Sequence, residues 1–308
     1  MSPGDRVARR EGKVAVVVVN VDRPADTLEC VDSVRASRDA EFAILVVDNG
    51  STPDRRAELA GGLAERTGVV LIPLDPNRGF AGGVNAGLER ALATDAEYVW
   101  ILACDTVVEP DAMRHLVATF RERPGAGVAG AMTYYAGTAS RIWYAGGFVE
   151  RGGMGMSRHR GQGEHDTGQY GEVVAADFAN GSSVFARLAV AKRIGGLDGS
   201  YFLYWEDADW CARATEAGWS VLFVPQARVW HKVTERDDER LPAARAYDAR
   251  NRLVWHARHR RSRLGFVLAH VLKAALLSAL RGHPEDARIH WSGVAAFLSG
   301  RLGRIREH

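Results

Sequence analysis

The sequence predicts an α/β fold with a mainly parallel central sheet and a helical C-terminal extension, and three observations carry that expectation. Residues 14–19 and 42–47 are continuous apolar runs without a polar face, as in strands buried on both sides of a sheet. Apolar runs then alternate with stretches of helical period, the pattern of successive βαβ units. After Thr234 the character changes to helices rich in Arg, Ala and Leu. The 308 residues are 46% hydrophobic and 25% charged, which excludes disordered and fibrous classes and allows one large domain with an appendage or two smaller domains.

The first strand, 14–19, leads into a helix over 24–38 that places Leu28, Val31 and Val34 on one face. The second strand, 42–47, ends in the turn Asp48-Asn-Gly-Ser-Thr-Pro53. A helix over 53–66, a strand at 69–73, a helix from about 81 to 92 and a strand at 98–103 follow, the last ending at Cys104-Asp105. Right-handed crossovers align the carboxyl ends of parallel strands on one edge, where ligands of open α/β sheets bind. Asp48, residues 77–85 and Asp105 all lie just past a strand end. Residues 141–177 are Gly-rich and polar and read as an extended hairpin and a mobile loop. Order returns at 178–185, with a helix near 188–194, an acidic helix start at 205–210 and a strand at 220–224. Trp230-His-Lys232 ends a further short apolar strand. There is no internal repeat.

Cys30, Cys104 and Cys211 are odd in number and far apart, which speaks against a disulfide framework or a multi-cysteine metal site and for a reducing cytoplasm. The polar stretch 1–13 and the short run behind it are too brief for a signal-peptide core or a membrane span.

Five constellations have chemical potential. Asp48 at a strand end suits hydrogen bonding to a nucleobase or ribose, although, taken alone, Asp48 and Asn49 are better explained as caps of the next helix. Asp75-Pro-Asn-Arg-Gly-Phe-Ala-Gly-Gly-Val-Asn85 bends into a helix, but its glycines lack the Gly-x-Gly-x-x-Gly spacing, which disfavours a nicotinamide-binding enzyme. A Gly-Lys-Ser/Thr phosphate loop is also missing. Asp105 leaves a buried strand where a divalent cation could bridge a diphosphate, a weak signal from one carboxylate. Tyr204-Trp-Glu-Asp-Ala-Asp-Trp210 crowds Glu206, Asp207 and Asp209 between tryptophans at a helix start. Capping explains one or two acids there, while apolar burial and like-charge crowding favour a general base. His231, taken alone, reads as a structural histidine.

Taken in order, the motifs at 47–51, 77–85, 104–105, 205–210 and 230–231 resemble those of the inverting GT-A glycosyltransferases of glycosyltransferase family 2, especially the rhamnosyltransferase-like and galactofuranosyltransferase-like branches. The resemblance spans about 13–232 and implies a GT-A, Rossmann-like nucleotide-diphospho-sugar transferase fold. It implies that Asp48 meets the nucleotide base, that Asn77, Gly79 and Asn85 lie along the nucleotide sugar, and that Asn49 and Asp105 belong to the same nucleotide-sugar-binding set. Asp105 matches the last acid of the Asp-x-Asp metal motif, whose first position is Ala103 here; some members carry Asn-Pro-Asp there. His231 matches a position that in some relatives completes a site for Mg or Mn. Asp207 aligns with the catalytic base, with Glu206 and Asp209 orienting the base or the acceptor. The implied reaction moves a sugar from a UDP- or dTDP-linked donor, with rhamnose-like sugars among the candidates, to a glycan, lipid-linked or small-molecule acceptor with inversion. The expected division is a catalytic domain over 1–235, with a donor half at about 13–106 and an acceptor half at about 107–235, and an extension over 236–308.

The extension carries Tyr247-Asp-Ala-Arg-Asn-Arg252, similar to an Arg-Asn element of the same branches, then the basic run 258–263. Residues 264–280 read as an amphipathic helix with Leu264, Leu268, Val271, Leu272, Ala275, Leu276 and Ala279 on one face. His270 and Lys273 argue against insertion as a span. Packing on the catalytic domain or on a second subunit of a homodimer, and docking of 258–281 on anionic lipid, stand as alternatives. Nucleic acid is disfavoured because no binding motif or aromatic platform accompanies the basic run. The net charge of +2 conceals a division: residues 241–308 hold 13 Lys and Arg against 4 Asp and Glu, or +9, leaving 2 − 9 = −7 for residues 1–240. Two rival functions remain. A sugar-phosphate nucleotidyltransferase would need a Gly-rich first turn, where this chain has Asn20-Val-Asp-Arg-Pro24, and an inactive nucleotide-sugar or glycan-binding protein is supported by Ala103.

Overall fold

The computed structural model describes residues 12–38, 40–138, 140–152, 155–233 and 242–305. The first half follows the expected alternation: β1 (Val14–Asn20), α1 (Pro24–Arg35), β2 (Phe42–Asn49), α2 (Pro53–Ala64), β3 (Val69–Leu74), α3 (Gly79–Leu92) and β4 (Tyr98–Ala103). β1 shows why the pattern was strong. Val14, Val16 and Val18 join one apolar cluster with α1 and α4 (Ala112–Glu122), whereas Ala15, Val17 and Val19 join another with α3, so both faces of the strand are buried.

Beyond β4 the chain adds elements the sequence did not announce. β5 (Thr106–Val108) precedes α4, and β6 (Ala126–Tyr135) is buried along its whole length. The stretch 141–177 holds more order than expected, with β7 (Ile142–Tyr144), a hairpin of β8 (Gly147–Val149) and β9 (Ser157–His159), and β10 (Val174–Ala175). β11 (Ser183–Arg187), α5 (Leu188–Ile194), α6 (Glu206–Glu216) and β12 (Ser220–His231) complete the sheet-bearing part.

The ten-stranded sheet among the described residues runs β10-β12-β6-β11-β4-β1-β2-β3, with β5 on β12 and β7 on β6. β1, β2, β3 and β4 are mutually parallel, and β11 runs antiparallel between β4 and β6. The two short strands expected at 220–224 and ending at Trp230 are one strand. Its pairing with β6 jumps between Val224 and Arg228, so that Pro225, Gln226 and Ala227 bulge out before pairing resumes. The second part of β12 pairs with β5 and sets His231 opposite Thr106, beside Asp105.

The expected boundary between 235 and 236 lies outside the described residues. Past it come α7 (Pro242–His259), a 3₁₀ turn (Arg261–Arg263), α8 (Leu264–Leu280) and α9 (Pro284–Leu298). Val254 and Trp255 of α7 belong to the larger core of the sheet-bearing part, while Leu253, Val267, Val271 and Val294 form a separate small core among the three helices. The inward face of α8 differs from the expected one. Val267, Val271 and Ala275 are buried, but Leu276 is 57% exposed and Ala279 also faces solvent, because α7 and α9 cover only a narrow stripe. Arg261–Leu280 is long and apolar enough to cross a membrane by length and composition.

Candidate functional site

The carboxyl edge of the parallel strands is shaped by polar side chains that knit loops together. Asp48 at the end of β2 is wholly enclosed. Its carboxylate accepts from Asn20 Nδ2 at 2.9 Å, from the Ser51 hydroxyl and from Arg56 Nε at 2.6 Å. It props the turn from within. Asn49 donates to the Gly79 carbonyl at 2.9 Å and accepts from the Arg78 N–H at 3.0 Å, and the Asn77 side chain accepts from the Gly79 N–H at 2.8 Å. Asn49 is therefore a clamp between β2 and the start of α3; the cap residue of α2 is Thr52. Gly79 has a φ of +74°, and a side chain there would strike the Phe202 carbonyl. Asn85 reaches away from the edge and bonds both backbone groups of Leu197, at 2.7 and 2.8 Å.

A cavity of about 400 Å³ opens beside this edge, and its walls include Asp105, His231, Glu206 and Asp207. Residues far apart in sequence are thus brought together, as expected from the motif order. Ala103, Trp143, His159, Tyr204, Trp205 and Asp248 also line it, whereas Asp48, Asn49, Asn77, Gly79 and Asn85 do not. Asp105 Oδ1 lies 3.0 Å from His231 Nε2, and Asp105 Oδ2 accepts from Arg23 Nη1 at 2.5 Å. Burial would raise the Asp105 pKa, but His231 and Arg23 outweigh it and hold the carboxyl down at about 2. The group is anionic at any physiological pH.

Asp207 sits in the first turn of α6, where unpaired N–H groups favour an anion. Its Oδ2 accepts from the Gly181 N–H at 2.9 Å and its Oδ1 from the Ala208 N–H at 2.7 Å. The turn carrying Gly181 also fixes the other side of the cavity: the Ser182 carbonyl accepts from the Ala103 N–H at 3.1 Å and from the Thr106 hydroxyl at 3.2 Å. One turn therefore spaces Asp207 from the end of β4. The arrangement suits a base facing a polarised donor.

Asp209 is a correction to the expected set. Two positions along a helix turn a side chain by about 200°, so Asp209 points to the opposite side from Asp207. It is 1% exposed and bonds Arg213, Tyr201 and His259 at 2.8, 3.1 and 2.9 Å. It anchors α6 to α5's neighbourhood and to α7.

Among the described residues no group of three or more His, Cys, Asp and Glu could hold a metal ion. Asp105 and His231 nonetheless offer a carboxylate and an imidazole 3.0 Å apart on the cavity wall. His231 Nδ1 is buried without a hydrogen-bond partner, and the Trp143 ring packs 4.7 Å from the imidazole with its plane inclined at 62°. Two protein donors fit a cation whose other ligands come from a diphosphate.

Sequence reasoning missed Arg23, His159 and the 180–182 turn, which carry no motif of their own. Asp248 lies inside the Arg-Asn element, so that signal pointed at the site without giving its contacts.

Comparison with known proteins agrees with this fold. A mannosyltransferase from Pyrobaculum calidifontis, solved with GDP-Man and Mn2+, superposes with a TM-score of 0.62 at 15% identity over 94% of this chain and 88% of its own. The S. aureus protein TarS gives 0.55 at 13% identity, over 85% of this chain and 42% of its own. The fold is that of the GT-A glycosyltransferases. Galactofuranosyltransferase GlfT2 is 25% identical in Mycolicibacterium smegmatis and 26% in Mycobacterium tuberculosis, in each case over 93% of this chain. The chain spans about half the length of these curated relatives, 47% and 48%. The family model described as "Glycosyltransferase like family 2" matches residues 11–254, and the chain belongs to that family.

Proposed function

We propose that this chain transfers a sugar from a nucleotide-diphosphate-sugar to an acceptor hydroxyl with inversion, in the building of a cell-wall polysaccharide or related glycan. The observation that carries it is the placement of Asp207 in one cavity with Asp105 and His231, spaced by the 180–182 turn. The acceptor O–H gives its proton to Asp207, the oxygen attacks the anomeric carbon from the opposite face, and the bond to the diphosphate breaks with its electron pair leaving on the diphosphate. Glu206 lines the same wall and orients the acceptor. Asp105 and His231 would hold Mg or Mn, which when bound neutralises charge on the diphosphate. Asp48, Asn49, Asn77 and Gly79 shape the donor edge, while Asn85 ties α3 to Leu197 away from it; residues 13–106 form the donor half, 107–235 the acceptor half and 236–308 the extension. The donor is UDP- or dTDP-linked. The galactofuranosyltransferase relatives and the GDP-Man-bound mannosyltransferase support the reaction class.

A donor screen that follows nucleoside diphosphate release tests the proposal. Release in the wild type with loss in Asp207→Asn, at unchanged donor affinity, supports it. No release above background with any donor leaves the inactive sugar-binding reading, which Ala103 favours.

We further propose peripheral docking on anionic lipid through the extension. Phe266, Leu276, Leu280, Trp291, Leu298 and Leu302 are 42–74% exposed on a segment whose charge is strongly positive. Flotation with vesicles containing phosphatidylglycerol tests this, and a protein that stays in the dense fraction refutes it.

A further inference from the structure

The loop that delivers α6 to the cavity is held in an unfavourable backbone conformation. Phe202, Tyr204 and Trp205 have φ of 63°, 67° and 72°, a region that non-glycine residues rarely occupy. Such a conformation persists only where the surroundings over-determine it. Here the surroundings come from α7, which lies at a distance in sequence. Asn251, wholly buried, shares its amide N–H groups among the carbonyls of Tyr201, Leu203 and Tyr204 at 2.9, 2.8 and 2.9 Å. Arg250, 1% exposed, donates to the Tyr201 carbonyl at 2.9 Å and to the Gly303 carbonyl at 2.7 Å. Tyr247 stacks on Phe202 with ring centroids 5.4 Å apart, and Asp248 accepts from Trp205 Nε1 at 2.9 Å. From the other side the Phe80 N–H donates to the Phe202 carbonyl at 2.8 Å. Arg250 turns its charge onto the carbonyl oxygens of Tyr201, Gly303 and the Asn251 side chain, and among the described residues it bonds no acid. Burying a guanidinium for that purpose is costly unless the carbonyls need it.

We propose that Arg250 and Asn251 are positioning residues: by pinning the carbonyls of 201–204 they fix the left-handed loop that aims Asp207 into the cavity. The extension is on this view part of the catalytic unit. The inference rests on the reading of Asp207 as the base, and neither residue touches the cavity itself.

The test compares wild type, Asn251→Ala, Asn251→Ser, Arg250→Ala and Arg250→Lys in the full chain. Backbone amide exchange at 200–207 is expected to quicken at least tenfold in Asn251→Ala while exchange in β1 and β4 is unchanged. kcat is expected to fall on the order of 100-fold, since displacements near 1 Å at a reacting group cost that much, with donor KM held within about threefold. Arg250→Lys and Asn251→Ser, which keep a donor to one carbonyl, should recover part of the loss. Unchanged exchange at 200–207, or equal losses in kcat and donor affinity, overturns the proposal. Quickened exchange in a protein whose wild type transfers no sugar confirms the pin and refutes the glycosyltransfer reading instead. Should Asn251→Ala not fold, Asn251→Ser and Arg250→Lys give the same comparison.

Discussion

Replacing Arg56 by Ala removes the only cation among the described residues bonded to a carboxylate that is 0% exposed, since Asp48 accepts from Arg56 Nε at 2.6 Å and otherwise from the neutral donors Asn20 and Ser51. A charge-assisted hydrogen bond contributes about 1.5–3 kcal/mol, and breaking a buried pair costs about 3–5 kcal/mol because the remaining charge is stranded. The Arg56 side chain is 31% exposed, which places the expected loss near the lower end, about 3 kcal/mol. The reverse change, Asp48→Asn, strands a guanidinium that water already reaches and that keeps its bond to the Leu74 carbonyl at 2.9 Å, so about 1 kcal/mol is expected. Guanidinium chloride unfolding followed by tryptophan fluorescence measures both, with the slope on denaturant unchanged. A loss below about 1 kcal/mol in Arg56→Ala, or a larger loss in Asp48→Asn than in Arg56→Ala, would refute the asymmetry argument.

Other expectations follow from the same contacts. Gly79→Ala must adopt a φ of +74° against the Phe202 carbonyl, and a loss of at least about 1–2 kcal/mol is expected; wild-type stability in urea would count against it. His259 is pulled down by burial, but bonds to Asp209 and Glu216 outweigh this and raise its pKa. Its stabilising contribution is therefore complete below the unfolded value of about 6.5 and lost as pH rises through the higher folded value. The Tm gap between wild type and His259→Gln should accordingly shrink from pH 6 towards pH 9, and a constant gap would contradict the assignment. Removal of divalent cations with EDTA should stop turnover and Mn or Mg restore it, and calorimetric Mn binding with nucleoside diphosphate should weaken at least tenfold in His231→Ala. Full activity in chelator would show that Asp105 and His231 hold no essential metal.

The parallel half was legible because β1, β2 and β4 are short, β-branched and aromatic apolar runs bounded by turn residues, the length and composition of strands buried on both faces. β6 was not, because Ala126-Gly-Val-Ala-Gly-Ala-Met-Thr-Tyr-Tyr135 has little β-branched content and owes its strand state to β11 and β12 on either side. Pro225 made β12 look like two strands, since a bulge and a break share the same residues. At the site, strand-end position points to Asp105 and the acidic cluster to Glu206 and Asp207, and the structure sets all three on the wall of one cavity. Sequence proximity could not say which way each acid points, and Asp209 faces the wrong side. Arg250 and Asn251 stand out as an element of the sequence, but their bonds join residues about 50 positions apart through backbone carbonyls, which leave no trace in side-chain pattern.

The left-handed residues of the 202–205 loop also bear on how this chain would respond to engineering. Tyr204→Gly would relieve about 1 kcal/mol of backbone strain in the folded state, so a selection for thermostability alone has reason to accept it. The same change widens the range of conformations open to the segment before α6 and dilutes the fraction of molecules with the cavity wall formed. Evolution of a tougher protein from this sequence would then proceed at the expense of turnover, and the variants that escape that trade would be those that stiffen α7 and leave the loop as it is.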